Sequence, residues 1–121
     1  MQKYPNCIQM YDYDDSIAHN TVINISELTD NVYIRLPENM SQFLTLESVT
    51  LLFTNDTIDP EAITRDRSWI IIPTSKLRTS IGYYIYQFSF LDNRIGLHVK
   101  YYITYQIQSD NPEKPYVYME R

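Results

Sequence analysis

Apolar and polar positions alternate with a period of two along most of the chain. In residues 32–36 the order V-Y-I-R-L places Val32, Ile34 and Leu36 on one face and Tyr33 and Arg35 on the other. That is the pattern of a strand with one wet side. Residues 7–11 and 21–25 are weaker candidates of the same kind. Between Phe43 and Thr54 the apolar phase switches, with Leu44 and Leu46 even but Val49, Leu51 and Phe53 odd. A bulge near Glu47 and Ser48 explains the switch, because one extra residue re-aims every side chain after it. Residues 69–72, W-I-I-I, show no alternation and predict a strand covered on both faces. Asp59-Pro60-Glu61 offers an N-cap, a proline at the first helical position and an early acid, which predicts one or two turns over residues 60–65. Residues 37–42 are a second candidate turn. No window sustains a 3.6-residue apolar period, so the chain reads as mostly β.

The stretch YYIYQFSFLDNRIGLHVKYYITYQIQ, residues 83–108, holds six of the twelve tyrosines. A two-residue Asp92-Asn93 turn predicts a hairpin that pairs Phe90 with Ile95, Phe88 with Leu97, Tyr86 with Val99 and Tyr84 with Tyr101. Its second face then carries Gln87 with His98, Ile85 with Lys100 and Tyr83 with Tyr102. An odd loop would move Phe88 and Phe90 onto the face of His98 and Lys100, so the pattern demands an even one. Tyr84, Tyr86, Phe88, Phe90 and Tyr101 are thereby assigned to the core. The second strand extends about eleven or twelve residues, and its far half needs another partner: a local strand, residues 116–119, or a neighbouring chain.

Composition narrows this picture. A chain of 121 residues with 44% hydrophobic and 21% charged side chains suits one globular domain. Only two glycines are present, so turns rely on Asn, Asp and Pro. Residues 1–15 and 109–121, rich in Tyr, Pro and Asp, read as extended arms flanking a domain over 16–108. The net charge of −5 repels phosphate backbones and anionic membranes, which argues against nucleic-acid and membrane partners. The start MQKYPNCIQMYDYDD lacks the basic-then-apolar order of a signal peptide, and no apolar run approaches the ~20 residues of a spanning helix. A soluble protein, cytoplasmic or in a virion, is expected.

Candidate chemistry is sparse. Cys7, His19 and His98 offer a nucleophile and bases, but no local signature joins them, so no catalytic residue is assigned and an enzyme is not expected. Cys7 reads as a small buried hydrophobe. Two acidic clusters, Asp12 with Asp14 and Asp15, and Asn55 with Asp56, Asp59 and Glu61, supply oxygens of the kind calcium takes but lack the spacing of a calcium loop. They read as solvated turns, and no metal or cofactor is expected. Tyrosine-rich strand faces, a long strand and terminal arms are features that protein interfaces use, since Tyr offers large contact area at little entropic cost.

The sequence therefore predicts an all-β fold: a single antiparallel β-sandwich or jelly-roll-like domain of six to eight strands, with a long C-terminal hairpin and extended arms. Its expected role is non-enzymatic assembly with protein subunits, its own copies or a different structural protein, in a larger particle of the virion kind. Tyr83, Ile85, Lys100 and Tyr102 on the outer hairpin face, with Tyr116 and Tyr118 on the tail, are the expected contact residues. Sugar stacking on exposed tyrosines is the alternative.

Overall fold

The computed structural model describes residues 7–12, 20–38, 40 and 42–110. Nine strands occur among them: β1 Cys7–Gln9, β2 Asn20–Asn24, β3 Asn31–Arg35, β4 Leu44–Leu51, β5 Thr57–Ile58, β6 Thr64–Asp66, β7 Trp69–Pro73, β8 Gly82–Asp92 and β9 Leu97–Gln108. They form a four-stranded sheet in the order β1-β3-β7-β6 and a five-stranded sheet in the order β2-β9-β8-β4-β5. The fold is all-β, as the alternation predicts, with two- and three-residue strands carrying the number past eight.

Both sheets are mixed, which corrects the antiparallel expectation. β1 runs parallel to β3, and β2 runs parallel to β9. After β1 the chain enters the other sheet as β2 before returning as β3, and such a crossover permits parallel neighbours. A two-residue apolar period is the same in either direction, so the sequence carries no sign of this. Residues 7–11 belong to the sheet and core despite lying within the expected amino-terminal arm: Ile8, Met10 and Tyr11 are buried. Cys7 is exposed, against expectation, because strand parity turns Ile8 inward and Cys7 outward.

One hydrophobic cluster draws from both sheets. Ile8, Ile34, Ile70 and Ile72 come from the first, and Val49, Phe88, Phe90, Ile103 and Ile107 from the second. Val32, Ile34 and Leu36 are all buried, as their alternation requires. The phase switch in β4 is a register shift between Leu46 and Ser48, where the bulge was expected. In β7 only Ile70 and Ile72 are fully buried; the second face is half covered, with the Arg35 guanidinium 5.3 Å from the Trp69 ring centre. The turns expected over residues 60–65 shorten to one 3-10 turn, Pro60–Ala62, because Thr64 already pairs with Ile71 in β6.

The β8–β9 hairpin keeps its expected faces but not its expected pairs. Asp92 lies opposite Leu97, Phe90 opposite Val99, Phe88 opposite Tyr101, Tyr86 opposite Ile103 and Tyr84 opposite Tyr105. The loop is four residues, 93–96, rather than two. Asp92 is the closing residue: its buried carboxylate accepts from the Arg94 backbone N–H at 3.0 Å and from Arg94 Nη2 at 2.9 Å. Gly96 takes φ +72, the left-handed conformation that suits glycine at the loop's end. Four is still even, so Tyr86, Phe88 and Phe90 face the core. The hydrogen bonds and charge of Arg94 hold the Asp92 carboxyl below the usual carboxylate range.

Two stability measurements follow. Phe88→Ala, at a site with 0% exposure, should cost about 3–5 kcal/mol in urea or guanidinium unfolding. For Asp92→Asn the sign follows from the lowered pKa. The native contribution is present above the unfolded carboxyl value of ~4 and fades as pH falls below it. The variant should be less stable than the parent at pH 7, with the gap closing as pH falls below about 4 in a pH series of thermal midpoints.

Candidate functional site

The outward face of the five-stranded sheet is built from alternate residues of β2, β9, β8 and β4. Register places Val22 beside Gln106 and Gln106 beside Tyr83 in one row. Asn20, Thr104 and Ile85 form the next row, and Tyr102 with Gln87 the one after. Tyr83 and Tyr102 are thus not opposite each other, because the longer loop slides the pairing. Their surroundings differ too. Tyr83 is 64% exposed, whereas the Tyr102 ring stacks on Tyr11 at 6.0 Å and its hydroxyl donates to Gln87 at 3.2 Å. Tyr102 is also bridged through its backbone to Tyr11, whose hydroxyl shares a buried hydrogen bond with Thr104. Tyr102 is half-buried in consequence, and Ile85 likewise. Lys100 is exposed opposite Ser89. Tyr116 and Tyr118 lie outside the described residues.

β9 is flanked on both sides over residues 104–107, by β8 and β2. Of the three partners considered for its far half, this is a local strand, β2. The flank of residues 97–101 away from β8 has no strand beside it among the described residues.

Around the start of β8 and the turn after β4 the sequence reading missed three residues. β4 ends at Leu51, so Phe53 leaves the strand phase and stands in the turn to β5, 93% exposed with φ +67. A left-handed phenylalanine is a conformational outlier that costs of the order of 1–2 kcal/mol. The turn is held around it by Thr54, whose Oγ1 donates to Leu51 C=O at 2.8 Å and accepts from the Asp56 N–H at 3.0 Å. Ile81, two residues before Tyr83, is 65% exposed. Phe53, Leu52, Tyr83, Tyr84, Ile85 and Arg78 border an open cleft of about 450 Å³. The signal for Phe53 was present in the Asn55-Asp56 turn that follows it; nothing in the sequence marks Arg78.

Arg78 is positioned from beneath. Its backbone N–H donates to the Tyr86 hydroxyl at 2.9 Å, and its carbonyl accepts from the Tyr105 hydroxyl at 2.8 Å. These two rings stack at 6.1 Å with planes 8° apart, and both are 2% exposed. Tyr84 donates to the Ser80 carbonyl at 2.8 Å. The Arg78 side chain forms an ion pair with Asp56. Burial, followed by the neighbouring Tyr86, drives the Tyr105 hydroxyl far above the ordinary tyrosine value. Burial also raises the Tyr86 hydroxyl, with the Arg78 N–H acting against it.

Of the residues considered for catalysis, Cys7 and His98 lie on different sheets, and His19 falls outside the described residues. Cys7 lies on β1 of the four-stranded sheet, and His98 lies on β9 with its Nε2 2.7 Å from Glu47. Asp56 is taken by Arg78, while Asp59 caps the 3-10 turn by accepting from the Glu61 N–H at 3.0 Å. Among the described residues no three metal-ligating side chains gather, and no helix is long and apolar enough to cross a membrane. Comparison with protein-family models, curated proteins and solved structures returns no match.

Removing one hydroxyl tests the support of Arg78. Tyr105→Phe should lower stability at pH 7 by roughly 1–2 kcal/mol, the cost of an unmet buried carbonyl. Because the native Tyr105 pKa is raised, the folded state holds the proton while the unfolded chain loses it. Stability of the parent therefore falls as pH rises past ~10. The variant should show a shallower alkaline loss, read from circular dichroism together with tyrosinate absorbance.

Proposed function

We propose that this protein is a non-enzymatic structural subunit whose two sheets stack as a sandwich and whose five-stranded sheet meets other protein subunits. The cluster shared by both sheets supports the sandwich. The reading is carried by one observation: the fold leaves two exposed apolar side chains in one row of an outward face, on either side of Gln106. Val22 is 49% exposed and Tyr83 64% exposed, in one row across three strands. Half-buried Ile85 lies in the next row. Exposed apolar positions grouped on one face, with a polar rim, mark interaction surfaces more than solitary ones do. Gln106 between them and Gln87 further along β8 supply hydrogen-bonding groups on the same face.

The partner is a second copy or another subunit of a larger particle such as a virion. Phosphate backbones and membrane surfaces are poor matches for a net charge of −5. Val22→Lys and Tyr83→Lys each place a charge on this face without touching the core. Multi-angle light scattering over a concentration series should show the parent associating and the double variant weakened at least tenfold, about 1.4 kcal/mol. A parent that stays monomeric at all concentrations rules out self-assembly; if it also fails to join any co-expressed subunit, the proposal falls.

A further inference from the structure

We propose that the cleft between Phe53 and Tyr83 is a binding site for a neutral saccharide, a role beyond subunit packing. Phe53 is the first reason. Its ring adds nothing to the core, yet the chain holds it 93% exposed in the left-handed region, φ +67. Strain retained at a displayed aromatic is the mark of a contact residue. Tyr83 stands across the cleft with 64% exposure, and the volume of about 450 Å³ lies within the ~300–1,000 Å³ typical of small-ligand sites.

Polar groups adjoin this aromatic floor. Arg78 borders both the apolar cleft and a second recess of about 410 Å³, lined by Asn55, Asp56, Thr57, Ser75 and Lys76. The backbone of Arg78 is pinned by two buried tyrosine hydroxyls and its side chain by Asp56, so little ordering remains to be done on binding.

The ligand class follows by elimination. Asp56 beside Arg78 cancels the charge that would draw a phosphate or sulfate, and the net charge of −5 opposes both. With Arg78 neutralised by Asp56, Lys76 on the adjoining recess disfavours a cation. A wholly apolar ligand strips water from the ion pair and returns no hydrogen bond. A sugar meets both demands. Its C–H face lies on an aromatic ring, while each hydroxyl donates and accepts, matching guanidinium donors next to carboxylate acceptors.

The test is a panel of neutral hexose and N-acetylhexosamine disaccharides, with sialylated and sulfated counterparts, followed by saturation-transfer NMR with the parent and two variants. At least one neutral sugar should bind the parent. Phe53→Gly should weaken it tenfold or more while raising the thermal midpoint, since glycine accepts the left-handed backbone without strain; Arg78→Met should weaken it as well. Absence of any neutral binder, a preference for the anionic sugars, or binding untouched by Phe53→Gly overturns the proposal. Light scattering on the same samples separates the two roles. Assembly without sugar binding sinks only this site, and sugar binding by a protein that neither self-associates nor joins a co-expressed subunit sinks only the assembly reading.

Discussion

The pairing of Asp92 with Leu97 governs the rest of the structure. It fixes how far β9 slides along β8, and so which tyrosines meet. In this register Tyr105 comes beside Tyr84 and stacks on Tyr86. With a two-residue turn, Tyr86 faces Val99 and Tyr105 runs past the start of β8, leaving the Arg78 carbonyl without the Tyr105 hydroxyl. A contact at one end of the hairpin thereby decides the geometry of the cleft at the other. Asp92 achieves this by occupying its carboxylate with Arg94.

The density of tyrosine has a structural explanation at several of its positions. Tyr84, Tyr86 and Tyr105 face inward near the end of the sheet, where the core gives way to the segment over residues 78–81. Phenylalanine fills the same volume and leaves the carbonyls of Arg78 and Ser80 unmet. Tyrosine buries a ring and ends in a hydroxyl that satisfies backbone groups at the margin. Deeper in the same face, where no such group is in reach, the residues are Phe88 and Phe90, both with 0% exposure.

Much of this was legible in the sequence because side-chain parity is a local property. The burial of Val32, Ile34 and Leu36, the bulge in β4 and the even hairpin loop all follow from which neighbours are apolar. What was hidden depends on chain path. Strand direction leaves no trace in a two-residue period, so the parallel placement of β1 and β2 was not anticipated. Loop length beyond parity turned on Asp92 acting as a side-chain acceptor and on Gly96, a signal present in the sequence but outweighed by the adjacent Asp-Asn pair. Phe53 continued the odd apolar phase of Val49 and Leu51 and was assigned with them; the turn built by Thr54 took it out of the strand. Among the expected contact residues, Tyr83 and Ile85 border the cleft, Tyr102 is stacked under Tyr11, and Lys100 stands apart beside the strand-free flank of β9.

The parallel pairing of β2 with β9 also sets an order of events. Asn24 and Gln108, 84 residues apart, are joined at 2.7 Å, and every pair along these two strands spans the same distance in sequence. Synthesis delivers β2 early and β9 last, so β2 has no edge to join until nearly the whole domain is available. The β8–β9 hairpin and its neighbour β4 pair over shorter separations and make a natural nucleus, with β2 added as a late closing element. A long-range seam of this kind slows folding and prolongs the time for which the flank of β9 stands open to other chains.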